Sequence, residues 1–277
     1  MSLGREGRRV QTEFRARLVY PERVRWRALS LVLGCGAALL ASCAHRPAGN
    51  VTRPSGPCFD HQVLIEQFCI DRYEDYVVEL DEHGQERPHS PYDVIGDKRV
   101  RAKVASGVIP QAYISQVQAR AACVEAGKRL CTPEEYVRAC RGPSSKDLYP
   151  YGGMHRRPGA CNEGKGSFVA LAFGQDFSKL TYEDFNDPKL DQMPGGLAPT
   201  GSFHACVSPE GVYDMVGNLH EWVEEEHGGH GRFRGGWYGD AENNGPGCLY
   251  VTSAHEPTYH DYSTGFRCCS DPGRVAR

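Results

Sequence analysis

The sequence is poor in several things, and each shortage removes a class of protein. Its apolar run from Ala28 to Ala41 falls short of a bilayer span, which needs about 20 apolar residues. It has no CxxC pair among its 12 cysteines, which argues against a thioredoxin-like redox centre and leaves zinc binding by some of them as the lesser alternative. It has no H-E-x-x-H segment, so the tight helical ligand set of the zinc peptidases is missing. From Cys58 to Cys269 there is no second linker, repeat or low-complexity tract, and one domain of ordinary size accounts for that stretch.

What is present begins with charge. Residues 1–42 carry eight arginines against three glutamates ahead of and around the short apolar run, the pattern of an export signal. Leu40-Ala41-Ser42-Cys43 resembles a bacterial lipobox, which makes Cys43 the lipidated first residue of the mature chain; an ordinary small-residue cleavage site is the alternative. Ala44 after that cysteine points to the outer membrane of a Gram-negative cell. The whole chain has 32 basic and 35 acidic residues, so loss of the signal leaves 24 and 32, a net charge of −8. An acidic surface excludes nucleic acid as a partner. The membrane, reached through the lipid, is the expected partner, with a protein, peptide or glycan ligand besides.

Residues 43–57 are polar with several prolines and glycines and are expected to form a flexible tether. Residues 58–269 form the domain, and 270–277 a tail. Export makes disulfides the default state of the ten cysteines at 58, 69, 123, 131, 140, 161, 206, 248, 268 and 269. Two helices are predicted over 115–126 and 133–141. Ser115 with Gln118, and Thr132 with Glu135 behind Pro133, have the reciprocal capping pattern. Glycine, proline and short aromatic runs elsewhere predict loops with short strands such as QFCIDRYED, GRFRGGWY and TGFRCC.

Six ordered segments carry a family likeness. Gly211 to Val223 (GVYDMVGNLHEWV), Arg234 to Trp237 (RGGW), Gly265 to Cys269 (GFRCC), Ala119 to Gly142, Tyr149 to Gly152 and Ile70 to Glu74 resemble the formylglycine-generating enzyme (sulfatase-modifying factor) family, over about residues 65–269. The resemblance implies an α+β, loop-rich, disulfide-stapled fold distantly related to C-type lectins. Members of that family oxidise a sulfatase cysteine with a copper ion held by two thiolates, six and eleven residues beyond the RGG arginine. Those offsets fall here on Asp240 and Gly245, so copper or iron is not expected and catalysis is doubtful. The family's calcium site implies ligands at Asp214, Gly217, Leu219 and Glu221, and a second at Asn162, Glu163, Asp191 and Met193. Hard oxygen donors suit calcium, although Asp214 and Glu221 could equally cap turns or face water.

By family position Cys123 pairs with Cys268, and Cys140 with Cys248, which would place Cys248 among the staples. Proximity then suggests Cys58 with Cys69, and elimination leaves Cys161 with Cys206 and Cys131 with Cys269. Three further features remain open. His220, His227, His230, His255 and His260, among Glu224, Glu225 and Glu226, are either surface histidines or a metal site. Arg234 and Arg267 are expected to be architectural, paired with acids or carbonyls. Trp237, Tyr238, Tyr250, Tyr259 and Tyr262 could line a groove for a peptide or sugar. The leading expectation is a lipid-anchored binding or structural module without formylglycine-generating activity. The rival is a divergent formylglycine-generating or non-heme metal oxidoreductase, using the histidines or Cys248 with a neighbour.

Overall fold

The structure is a computed structural model that describes residues 56–253 and 255–273. Segment 1–42 and Cys43 lie outside the described residues, as do most of the tether and 274–277. Among the described residues no helix is long and apolar enough to cross a membrane.

In chain order the strands are β1 (Gln62–Ile65), β2 (Phe68–Asp71), β3 (Tyr76–Leu80), β4 (Glu86–Pro88), β5 (Val100–Lys103), β6 (Arg129–Leu130), β7 (His220–His227), β8 (His230–Arg234), β9 (Val251–Thr252), β10 (Thr264–Phe266) and β11 (Cys268–Ser270). The helices are α1 (Gln116–Glu125), α2 (Pro133–Arg141), α3 (Phe168–Phe173), α4 (Tyr182–Phe185) and α5 (Lys189–Gln192). They build an α+β, loop-rich domain with two four-stranded sheets, ordered β1-β2-β11-β6 and β10-β7-β8-β9, and a three-stranded sheet, β4-β3-β5. Only the β10–β7 contact in the second sheet is parallel among its three pairings.

The two longer helices form where their local chemistry dictates. Ser115 and Gln118 satisfy each other's free backbone donors at the start of α1, and Thr132 and Glu135 do the same for α2, with Pro133 in its first turn. The start of β7 is buried on both faces, because alternate side chains enter different cores. Trp222 packs with Phe233, Phe266 and Leu130, and its Nε1–H donates to the Ile114 carbonyl at 2.8 Å. Val223 joins Tyr136, Met215 and Cys248 on the other side. Beyond β8 the chain needs glycine: at Gly235 φ is +83° and an added Cβ would stand 2.3 Å from the Tyr136 hydroxyl.

Five disulfides close the domain. Cys58–Cys69, Cys161–Cys206, Cys140–Cys248, Cys131–Cys269 and Cys123–Cys268 span sequence separations of 11, 45, 108, 138 and 145 residues. The structure thus brings together each of the pairs set out above. The ordered body runs past both expected boundaries. Ser270 ends β11 opposite Cys69, and the Gly273 N–H donates to the Pro57 carbonyl at 2.8 Å, so the first residues of the expected tail are tied to the end of the tether.

Candidate functional site

The turn preceding β7 gathers buried acids. Asp214 and Asn218 adopt positive φ, 58° and 59°, which brings their side chains back over the chain. Asp214 Oδ2 accepts the Gly201 N–H at 2.6 Å. Glu221, fully buried, receives Arg267 Nε on one oxygen and Arg267 Nη2 on the other, the second at 2.7 Å. Arg267 spends its remaining donors on the carbonyls of Asp71 and Tyr213, so it is architectural as expected. Glu74, not among the expected site residues, accepts from Asn218 Nδ2 and the Leu219 N–H of this turn.

One guanidinium therefore faces three buried carboxylates. Burial, together with the charges of Asp214 and Glu221, raises Glu74 well above the usual carboxylate range. Burial pushes Asp214 up to about 6. A proton shared among the three carboxylates would relieve the excess negative charge. Because Glu221 presents both oxygens to Arg267, a dication at this turn would stand against a guanidinium, and the set Asp214, Gly217, Leu219 and Glu221 fits calcium poorly.

The second set fits better. Asn162 donates to the Gly196 carbonyl and to Asn218 Oδ1, leaving its own Oδ1 buried without a donor. Asp191 is buried, accepts the Tyr238 hydroxyl on Oδ1 at 2.9 Å, and has no donor for Oδ2. Burial raises its carboxyl well above the ordinary range. Gly196 ties the two together, since an added Cβ there would meet the carbonyl oxygens of Met193 and Asp191 at 3.1 and 3.2 Å. Two buried oxygens that lack donors, with the Met193 and Asp191 carbonyl oxygens close to Gly196, suit a hard cation. Glu163 is ion-paired with Arg156, which donates to its Oε1 at 2.7 Å, while its Oε2 is also buried without a hydrogen-bond partner.

At the family's copper positions the loop is closed by other means. Asp240 accepts the N–H groups of Glu242 and Asn243 at 3.1 and 3.2 Å and bridges to Trp237. Gly245 has φ +112°, and an added Cβ would lie 2.9 Å from the Leu249 carbonyl oxygen. Cys248, three residues on, is joined to Cys140. All ten cysteines among the described residues are disulfide-bonded, so none of them offers a thiolate.

His220, His255 and His230 are neighbours, but among the described residues no three histidine or acidic ligands come within reach of one ion. His220 is buried between Ser263 Oγ, 3.2 Å from Nδ1, and the Tyr250 hydroxyl, 3.3 Å from Nε2. Asp261 holds Ser263, and Asn244 holds Tyr250, so a hydrogen-bonded chain crosses this part of the core. Burial and the neighbouring His255 lower His220 to about 3, which keeps its ring neutral. His255 stacks on Tyr259 at 3.7 Å, His260 bonds Asn186, and His227 is exposed. Among the described residues the one group of three potential metal-ligating side chains is Asp75 with Cys123 and Cys268, and those sulfurs are bonded to each other.

The expected aromatic groove is corrected for three of its five members, Trp237 and Tyr259 being half-buried. Tyr238, Tyr250 and Tyr262 are 0, 2 and 5% exposed. They fill space inside the domain, Tyr238 and Tyr262 packing around the half-buried Trp237, and offer no open faces to a ligand. Arg234 departs from expectation too: its Nε is buried with no acceptor.

Residues 41–272 match the Sulfatase-modifying factor enzyme 1-like domain family. The chain belongs to that family. It is 29% identical over 175 residues to the bovine (Bos taurus) protein named inactive C-alpha-formylglycine-generating enzyme 2, covering 60% of this chain and 51% of that protein. It is 30% identical over 118 residues to the mouse (Mus musculus) formylglycine-generating enzyme, covering 42% of this chain and 27% of that protein. The chain thus spans about half or less of the length of these relatives. Among solved structures, the Major Tropism Determinant I1 variant superposes with a TM-score of 0.45 at 13% identity, over 79% of this chain and 54% of that one. A structure of CarF gives 0.41 at 17% identity, over 74 and 86%.

Proposed function

We propose that this chain is a sulfatase-modifying-factor-like domain that makes no formylglycine and serves as a lipid-anchored binding or structural module on the outer membrane of a Gram-negative cell. One observation carries the reading: Asp240 and Gly245 occupy the family's copper positions, and Gly245 has no room for a side chain. Oxidation of a thiol by copper needs a pair of thiolates close together. The pairing of Cys248 with Cys140 supports the same conclusion, as does the similarity to relatives named inactive. Anchoring is inferred from Leu40-Ala41-Ser42-Cys43 and the apolar run before it. Calcium at Asn162, Glu163, Asp191 and Met193 would hold the loop before β7 by replacing missing hydrogen-bond donors with a cation.

The test is a mass assay. Incubated with copper and a peptide carrying the sulfatase CxPxR sequence, the full chain is expected to leave the peptide cysteine intact. Conversion of that cysteine, lost when Cys248 is replaced by alanine, would overturn the reading in favour of an oxidoreductase.

A further inference from the structure

A notch of about 440 Å³ lies between α2 and the end of β8. Arg234, the last residue of β8, stands opposite Glu221 on β7 and Val251 on β9, and its side chain turns into the notch. Arg141 and Glu134 of α2 also line it, with Val137, Pro143 and Ser144 among the remaining walls.

The arginines of this region are not equivalent. Arg138, also in the wall, is spent on Glu66 and Glu210, both at 2.7 Å. Arg141 gives Nε to the Asp147 carbonyl. Among the described residues the side chain of Arg234 makes no hydrogen bond or ion pair, and its Nε is buried without an acceptor. Glu134 and Glu225 are the acids whose fields reach Arg234, while Arg232 opposes them, and burial still lowers its basicity. A guanidinium does not shed its charge in a protein. A buried donor left without an acceptor is a standing cost to the fold; Arg234 Nε, like Arg232 Nε, is closed off from solvent, so what a ligand in the notch would meet are the Nη groups of Arg234, which no acceptor among the described residues claims.

We infer that this notch binds a small ligand with a carboxylate head and an apolar body, the head held by Arg234 and Arg141. The planar fork of an arginine matches a carboxylate with two parallel hydrogen bonds. Val137, Pro133 and Pro143 supply the apolar contact, and the volume lies in the range of small-molecule sites. Glu134 sits in the same wall, so the positive excess is small, which favours a singly charged head over a sulfate or phosphate. The inference does not depend on whether the domain is catalytic.

The experiment is calorimetric titration of the full chain with N-acetyl-leucine, its amide and inorganic sulfate. N-acetyl-leucine is expected to bind saturably, the amide at least about tenfold more weakly. Arg234→Gln should abolish binding while the far-ultraviolet circular dichroism stays unchanged. Arg141→Gln, at the half-buried C-terminal end of α2, should weaken binding several-fold and guards against a folding defect in the first variant. Equal binding of acid and amide, tighter binding of sulfate than of N-acetyl-leucine, undiminished affinity in both variants, or no saturable binding up to about 10 mM would each overturn the inference.

Discussion

Asp75 is fully buried, with Oδ2 accepting the Cys268 N–H and Oδ1 lacking a donor. Burial and the neighbouring Asp71 raise its carboxyl well above the ordinary range, although Lys128, bonded to both oxygens of Asp71, pulls the other way. A carboxyl with a raised folded pKa contributes stability below its unfolded pKa of about 4, and that stability is lost as pH rises through the folded value. Asparagine mimics the protonated acid. Asp75→Asn is therefore expected to change little near pH 4 and to stabilise the domain by about 1–3 kcal/mol at neutral pH. Denaturant titrations at several pH values check this, and parallel curves for parent and variant would sink the idea. Asp191 allows a separate test of calcium. Calcium at a hundredfold excess over its dissociation constant should stabilise the parent by roughly 2.7 kcal/mol, and Asp191→Asn should remove that gain while stabilising the calcium-free domain. A melting temperature indifferent to chelator would rule calcium out.

At the scale of elements, β11 shows how much a short strand relies on covalent help. It pairs with β2 and β6 through two residues on each side, too few to fix a register alone. Its adjacent cysteines point to opposite faces, so Cys268 reaches Cys123 on α1 and Cys269 reaches Cys131 just before α2. The chain-entropy contribution grows with loop length, about 5 kcal/mol for the separation of 145 between Cys123 and Cys268 and about 3 for the 11 between Cys58 and Cys69. Because Cys131–Cys269 closes nearly the same loop as Cys123–Cys268, the large contribution is lost only when both bridges go: replacing all four of these cysteines by alanine should lower the unfolding free energy more than Cys58→Ala with Cys69→Ala, as read by urea titration. The reverse order would mean that native packing, not chain entropy, dominates. The helices α1 and α2 were legible in the sequence because a capping box is local, written within four residues. The sheet β4-β3-β5 and the short helices α3 to α5 were not, since their registers and ends are set by distant partners. The site was legible only in part. Motif offsets identified Asp240, Gly245 and the pairing partners of Arg267 as a class, but the unsatisfied Nε of Arg234 and the donor-free oxygens of Asn162 and Asp191 exist only once the chain is folded.

At the scale of the whole molecule the proposed address, residues 1–43, is attached to an acidic domain. A net charge of −8 after loss of residues 1–42 means that an anionic membrane surface repels the domain, so charge cannot hold it there. The described residues provide no membrane-crossing helix. If the chain resides at a membrane as proposed, covalent lipid would hold it there; stable anchoring takes more than one acyl chain, which lipoprotein processing at Cys43 would provide. Two consequences separate this from adsorption. Wild-type protein in its own cell should stay with membranes through a high-salt wash, because burial of acyl chains is indifferent to screening. Cys43→Ser should move the chain to the soluble fraction and remove the acyl mass from its N-terminal peptide. A variant that stays with the membranes, alongside a wild-type N-terminus without acyl mass, would leave Cys43 a bystander and require some other feature of the chain to do the anchoring.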